Sequence, residues 1–385
     1  MHRCLELASL GAGHTAPNPM VGSVLVYEDR QTGEERIIGE GYHEQYGQQH
    51  AEANCVASVK AEDLPLIAQS TLYVSLEPCA HYGKQPPCAD LIIDRRIPRV
   101  VVGCRDPFPQ VNGKGIDKLL AAGVEVRIGV LEKECIDLNR RFLTFNTLNR
   151  PYIVLKWAQS ADGKIGGRGR SRERPISEAG APWSGMAGME ERTRISNEYT
   201  NRLVHKWRSE EAAILVGTRT ALADDPALTA RLWHGPDPIR LVIDKDLRLP
   251  GSLQLFDRKV RTIVFNTLRH EETYNLLYYQ LATDSSLVHQ VVVALTALNI
   301  QSVLVEGGAR LLQSFIDEGY WDEARVITNN DLEIPGGLAA PVLTGGELRG
   351  KGTIRGKETI RGGETIHGKE ALLSDSIRYY KNTLR

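Results

Sequence analysis

No charge of one sign dominates this chain: 47 basic residues stand against 48 acidic ones over 385 residues, a formal net charge of −1. That balance removes the electrostatic case for a nucleic-acid or polyanion partner. No apolar run approaches the roughly 18 residues of a membrane span, and the opening residues lack the basic, apolar and small-residue order of an export signal. The expectation is a cytoplasmic protein that touches neither membrane nor nucleic acid. Cysteine is missing from the larger part of the sequence, since all six (Cys4, Cys55, Cys79, Cys88, Cys104 and Cys135) fall within the first 135 residues. With no export signal, that clustering argues against a disulfide framework and turns attention to metal ligation. The second half also lacks a Gly-x-Gly-x-x-Gly turn behind a strand, so no Rossmann fingerprint is available there.

The chain does show alternation. Short β-like runs (VGSVLVYE, RIIGEGY, TLYVSL, RVVVGC, VEVRIGV) alternate with helical ones: a helix opened by His50, one after Cys88, one over GIDKLLAAG and a longer one over LEKECIDLNRRFLTFN. Such alternation predicts a layered α/β unit with a largely parallel sheet. Asn149-Arg150-Pro151 breaks the last helix, and a second α/β series follows through PYIVLKWAQS, AAILVG, IRLVID, TIVF and SVLVEGG. The expected division is 1–148 and 149–385. Two segments read as insertions: residues 167–191, rich in Gly, Arg and Pro, and a six-residue repeat over 350–370, too short to bury a solenoid core and so expected as a surface excursion.

In QQHAEANC, His50 and Glu52 stand two apart at the start of a helix. At about 100° per residue they cannot share a face inside it, so a pair acting together must sit at the first turn. About 27 residues further on, EPCAHYGKQPPC brings Cys79 and Cys88. Zinc favours imidazole nitrogen and thiolate sulfur, and a catalytic zinc takes three protein ligands and keeps its fourth position for water. His50, Cys79 and Cys88 make such a set. Helix N-termini beside the two cysteines would favour their thiolates. Glu52 is then an unligated carboxylate able to shuttle a proton from water to a leaving amine, the constellation of zinc deaminases. A closed structural zinc would need a fourth ligand, for which Cys55, Cys104 and His81 stay open; unliganded core cysteines are the remaining alternative.

PNPMVGSVLV, GYHEQYGQQHAE, LEPCAHYGKQPPC and RDPFPQVNGKG together resemble the deaminase half of the bifunctional riboflavin-biosynthesis deaminase/reductase family. The wide cysteine spacing separates it from tRNA- and DNA-editing deaminases. The resemblance implies a cytidine-deaminase-like three-layer α/β/α domain with zinc held by His50, Cys79 and Cys88, and Glu52 as proton shuttle. It further implies that Asn18, His43 and Lys84 hold a pyrimidine and its ribose phosphate. Phe108 departs from the family, many members of which carry Asn there. Met1 falls inside the first helix, where relatives usually carry a few more residues.

In the second half, VLVEGGARLLQSFI sets two glycines at a strand-to-helix turn, where backbone N–H groups and the helix N-terminus suit a phosphate, although Gly307-Gly308 also reads as an ordinary tight turn. With KWAQSADGKI and ILVGTRTALADDPALTAR before it, this order is similar to the dihydrofolate-reductase-like half of the same family. That implies NADPH held by Gln159, Thr220, Asp224 and Gly308, Ala309, Arg310, Leu311, Leu312, Gln313 and Ser314. It also implies substrate faced by Arg208, Leu228, Arg231 and Glu306, and association into dimers or tetramers through the reductase domain. The family's Ser-x-Trp-Ile segment is replaced by Arg192, Thr193, Arg194 and Ile195. Two rivals stand beside a two-step enzyme acting on a phosphorylated pyrimidine. One is a deaminase of a nucleoside, base or nucleotide with an inactive reductase-like domain; the other is a zinc-stabilised nucleic-acid-binding or interaction protein, which the charge balance disfavours.

Overall fold

A computed structural model describes residues 1–82, 86–107, 112–166, 194–352, 358–359, 365–366 and 375–383. The chain divides into two compact units, one of Met1–Tyr152 with Val293–Gln301, the other of Ile153–Val292 with Ser302–Arg385.

The first unit runs α1 (His2–Ser9), β1 (Gly22–Glu28), β2 (Glu35–Tyr42), α2 (Ala51–Ala57), a 3-10 segment, β3 (Thr71–Leu76), α3 (Cys88–Asp94), β4 (Arg99–Cys104), α4 (Lys114–Ala121), β5 (Glu125–Ile128), α5 (Glu132–Leu138) and α6 (Arg140–Leu148). The sheet order is β2-β1-β3-β4-β5. Only β3, β4 and β5 are parallel neighbours; β1 is antiparallel to both β2 and β3, which corrects the expectation of a largely parallel sheet. The reason lies in the short link from β1 to β2, where Asp29 Oδ1 accepts the Gln31 and Thr32 N–H groups and Gly33 takes φ +71°. A turn of that length joins only antiparallel neighbours. Leu25, Leu72, Val74, Val100 and Val102 point to one face and pack with Val56, Ala89, Ile92 and Leu119 of α2, α3 and α4. On the other face Val24 meets Cys4 and Leu7 of α1, and Cys135 of α5 meets Leu76 and Cys104. Helices therefore cover both faces, the three-layer arrangement expected.

The single long helix expected after residue 131 is two. Asn139 leaves helical geometry at φ −99°, ψ 18° and caps α6. Its side chain is turned to a distant backbone instead: Met20 N–H donates to Asn139 Oδ1 at 2.8 Å, and Asn139 Nδ2 donates to Met20 O at 2.9 Å. A buried amide clasped at both ends outweighs the modest propensity for continuing a helix through Asn.

From Tyr152 onward the chain runs β6 (Tyr152–Ser160), β7 (Lys164–Gly166), α7 (Glu198–Glu210), β8 (Ala213–Gly217), α8 (Thr218–Asp224), β9 (Ile239–Ile243), β10 (Thr262–Asn266), β11 (Glu271–Thr273), β12 (Leu276–Gln280), α9 (Leu287–Ala297), β13 (Ser302–Gly307), α10 (Ala309–Asp317), β14 (Glu323–Asn329), β15 (Leu338–Ala339), β16 (Gly346–Gly352), β17 (Glu358–Thr359), β18 (Thr365–Ile366) and β19 (Asp375–Asn382), all in the second unit except Tyr152 and the end of α9 from Val293. Ten strands form one sheet in the order β11-β12-β10-β9-β8-β13-β6-β14-β19-β16. Strands β12, β10, β9, β8 and β13 are successive parallel neighbours. Their apolar residues Ile214, Val216, Val242, Val264 and Leu276 pack under Ala221, Leu228 and Leu255. Because β8 and β13 pair with Gly307 opposite Val216, the turns leading into α8 and α10 emerge side by side at one end of the sheet. The 167–191 segment and most of the hexapeptide repeat lie outside the described residues; of the repeat, residues 350–352 end β16, and the antiparallel pair β17 and β18 lies in its middle. Among the described residues no helix is long and apolar enough to cross a membrane.

Candidate active site

His50 caps α2 from outside it, with extended backbone at φ −77°, ψ 165°, while Glu52 sits in the first turn. That placement answers the spacing puzzle: the two side chains project from the turn where the chain enters the helix. The helix can lie this close to β2 because position 41 is glycine; a Cβ there would stand 2.3 Å from Cys55 N and 2.7 Å from Ala51 O. Beyond β3 the chain delivers Cys79, and Cys88 opens α3. The Cys88 backbone N–H, at that helix start, donates to Cys79 Sγ at 3.4 Å, so the positive end of α3 serves both sulfurs.

One ligand atom from each of His50, Cys79 and Cys88 lies within 4.8 Å of the others, and among the described residues this is the only such group of His, Cys, Asp or Glu. Cys79 Sγ and Cys88 Sγ stand 3.6 and 3.4 Å from His50 Nδ1. Zinc with bonds of about 2.3 Å to sulfur and about 2.0 to 2.1 Å to nitrogen at a tetrahedral angle would set those atoms roughly 3.5 Å apart. The donor set therefore fits zinc in kind and in spacing. Electrostatics agree. Hydrogen bonds from Cys88 hold the Cys79 thiol well below its ordinary range, and the Cys79 hydrogen bond raises His50 despite burial. Three groups thus share protons at one point, where a divalent cation would replace them. Of the candidates for a fourth ligand, Cys55 is packed in the core, Cys104 donates to Ser75 O and His81 is exposed.

Glu52 is not in that group, yet it is 3 % exposed and accepts a hydrogen bond from Cys88. Burial first, then the negative charge of Cys79, push its carboxyl up to about 7, the range in which a carboxylate both takes and returns a proton. His43 packs edge-on against His50, with ring centroids 5.5 Å apart. Its Nδ1 donates to Gln49 O at 2.9 Å, which leaves Nε2 as the acceptor for Asn18 Nδ2 at 3.1 Å. Burial keeps His43 below its ordinary range, consistent with the neutral ring this pattern needs. Asn18 and His43 are thus one unit bordering His50. Lys84 and Phe108 lie outside the described residues.

Two residues of this unit escaped the sequence reading. One is Glu77, buried at the end of β3. The other is Asn139, whose clasp on Met20 anchors the loop that carries Asn18. Nothing in the spacing marks Asn139, 119 residues from its partner; Glu77 carried a faint signal as an acid between a strand and Pro-Cys. Asn139→Ala is expected to raise KM for ammonia release more than it lowers kcat, and to lower the unfolding midpoint, since the half-buried backbone groups at Met20 lose their partners at about 1 to 3 kcal/mol at most. Steady-state kinetics with thermal unfolding test this; an unchanged KM would detach Asn18 from substrate.

In the second unit, Arg208 and Glu306 form a two-point ion pair: Nε donates to Oε1 at 2.8 Å and Nη2 to Oε2 at 2.7 Å. Arg208 Nη1 donates to Thr229 O at 3.2 Å. Arg231 is exposed and reaches Thr229 Oγ1 at 3.3 Å. Leu228 is a core residue with φ +49°, so the face it can offer a ligand is backbone. At the paired turns, Gly308 N–H donates to Thr220 Oγ1 at 2.9 Å and Gly308 caps α10. Ala309, Arg310, Leu311, Leu312, Gln313 and Ser314 make up its first turns, with Leu312 facing the core. Val342 N–H donates to Gln313 Oε1 at 2.8 Å. Asp224 closes α8, and Gln159 Oε1 accepts from Trp157 Nε1 at 2.8 Å, away from those turns in sequence. Of the segment replacing Ser-x-Trp-Ile, Arg192 and Thr193 lie outside the described residues, Arg194 is exposed, and Ile195 O accepts from Asn329 Nδ2 at 2.7 Å.

Residues 1–104 match the cytidine and deoxycytidylate deaminase zinc-binding region, and residues 151–366 match the RibD C-terminal domain. The chain is 38 % identical over 329 residues to the riboflavin biosynthesis protein RibD of Aquifex aeolicus, covering 84 % of this chain and 83 % of that one. It is 37 % identical to the RibD of Actinobacillus pleuropneumoniae, covering 90 % and 86 %. A solved structure from Thermotoga maritima, described as a diaminohydroxyphosphoribosylaminopyrimidine deaminase/5-amino-6-(5-phosphoribosylamino)uracil reductase, aligns with a TM-score of 0.79 at 32 % identity over 99 % of this chain and 97 % of that one.

Proposed function

Since the chain belongs to the RibD family of riboflavin-biosynthesis enzymes, with both a zinc deaminase and a reductase domain, we propose that it performs both steps named for its Thermotoga relative, using the residues assigned below. The first is hydrolytic deamination of 2,5-diamino-6-ribosylamino-4(3H)-pyrimidinone 5′-phosphate. The second is NADPH-dependent reduction of the ribosyl side chain to ribityl. The observation that carries the reading is the cluster of His50, Cys79 and Cys88 with an unligated, buried Glu52 beside it.

Deamination exchanges an exocyclic amino group for oxygen from water and releases ammonia, so one proton must leave the water and one must reach the departing nitrogen. Glu52 makes both transfers; its elevated carboxyl is suited to accept the first and deliver the second. When bound by His50, Cys79 and Cys88, zinc supplies the Lewis acidity that activates water at neutral pH. Asn18 and His43 orient the pyrimidine, and Lys84 meets its phosphate.

For reduction, NADPH supplies the reducing equivalents. The Gly308 turn, with Thr220 bonded to its N–H, and the N-terminus of α10 cradle cofactor phosphate, with Asp224 and Gln159 as further contacts. Arg231 grips the substrate phosphate, while Arg208 is preset by Glu306 beside it, and the Leu228 backbone completes that wall. A base or nucleoside deaminase with an inactive second domain is the weaker reading, because relatives carrying both halves match across the chain. We place the enzyme in the cytoplasm, where six free cysteines stay reduced, and as a dimer or tetramer joined through the reductase domain.

Purified protein tests both steps separately. Ammonia release from the diamino substrate, and NADPH oxidation that depends on the deaminated phosphate, are the expected results. Deamination without any such NADPH oxidation would favour the rival.

A further inference from the structure

Glu77 is 4 % exposed, and among the described residues the donors to its carboxylate are all backbone N–H groups. Oε2 accepts N–H groups from Asp106 at 3.3 Å and Gly113 at 3.1 Å; Oε1 accepts from Gly115 at 3.1 Å and Ile116 at 3.4 Å. Its own N–H donates to Cys104 O at 3.0 Å. The donors come from the chain leaving β4 and from the start of α4, whose unpaired N–H groups and positive dipole suit an anion. The contact is closed on both sides. A Cβ at residue 115 would fall 1.8 Å from Pro78 O, so the helix start presses directly on the peptide that precedes Cys79. Gly113 takes φ +81° to turn its N–H toward the carboxylate. The glycines of NGKG and the acid of EPC are therefore two halves of one contact.

We propose that Glu77 is the positioning residue of the metal centre: by tying the end of β3 to the start of α4, it fixes Pro78 and with it the sulfur of Cys79. The proposal rests on Cys79 being a zinc ligand. A ligand loop with no regular structure of its own needs such an anchor, because a misplaced sulfur weakens metal binding and misaligns the water that Glu52 serves. Asp would keep the charge but fall one methylene short of the four donors. Gln keeps the shape but turns an NH2 group toward two backbone N–H groups.

The full-length parent, Glu77→Gln and Gly115→Ala are compared in four measurements: zinc transfer to a competing chelator, the visible spectrum of the cobalt(II)-substituted protein, kcat and KM for ammonia release, and NADPH oxidation with the deaminated phosphate supplied directly. Glu77→Gln is expected to weaken zinc binding by about tenfold to a hundredfold, alter the cobalt spectrum, and lower kcat with KM little changed, while the reductase step stays parental. Gly115→Ala reaches the same contact from the other side and is expected to match it. Parental zinc retention and an unchanged cobalt spectrum in Glu77→Gln would overturn the proposal. So would loss of the reductase step together with the fold in both variants, since Glu77 would then be general support. A parent that binds neither metal would instead overturn the ligand assignment itself, a distinguishable result.

Discussion

Glu52→Gln is expected to keep zinc and fold while slowing ammonia release by about a hundredfold to ten-thousandfold, the share usually carried by a positioned acid/base. The amide matches the carboxylate in shape, so packing of the first turn of α2 survives. What disappears is a group able to carry a proton between water and amine. Glu52 is buried beside Cys88 with its carboxyl raised to about 7, so no bulk buffer reaches the same place easily. The reductase step, assayed with the deaminated phosphate supplied, is expected at the parental rate. Retained deamination in Glu52→Gln would move the proton shuttle to another residue.

Glu306→Gln is expected to damage the second unit in two ways. Arg208 is 13 % and Glu306 7 % exposed at their side chains, and removing one partner strands a buried charge at a cost of about 3 to 5 kcal/mol. Chemical denaturation reads this loss. NADPH oxidation is expected to fall with it, because Arg208 loses the fork that orients it. Burial alone would raise the Glu306 carboxyl, but attraction to Arg208 and then Lys156, with the Arg208 hydrogen bonds, brings it down to about 2 from an ordinary 4.5. A carboxyl lowered by folding stabilises the fold fully above its unfolded value and loses that contribution as pH falls through its folded one. Parental stability is therefore expected to drop between about pH 4.5 and 2, and that share of the acid slope should be missing in Glu306→Gln. Equal acid slopes would deny the pair its role.

The clustering of His50, Cys79 and Cys88 was legible because chemistry narrows the choice: few residue types bind zinc, and His-x-Glu with Pro-Cys-x8-Cys after a strand is rarely accidental. Helix starts at His50 and Cys88 were legible for the same local reasons. The direction of β1 was legible only by weighing the short turn at Asp29 over the general alternation of strands and helices. The interruption at Asn139 was not legible, since it is imposed by Met20 from far along the chain. Glu77 illustrates the same limit: only the folded arrangement brings four N–H groups to it. In the second unit, sequence order alone could not tell that Arg208 is already committed to Glu306, whereas Arg231 is exposed.

X-ray absorption at the zinc edge of the purified chain tests the central assignment most directly. The expected result is one zinc with two sulfur neighbours at about 2.3 Å, one imidazole nitrogen at about 2.0 to 2.1 Å and one further light atom that an added inhibitor can replace. A third sulfur or a second imidazole in the shell would make the site structural, and a chain that holds no zinc at all would remove the deaminase chemistry assigned to Glu52.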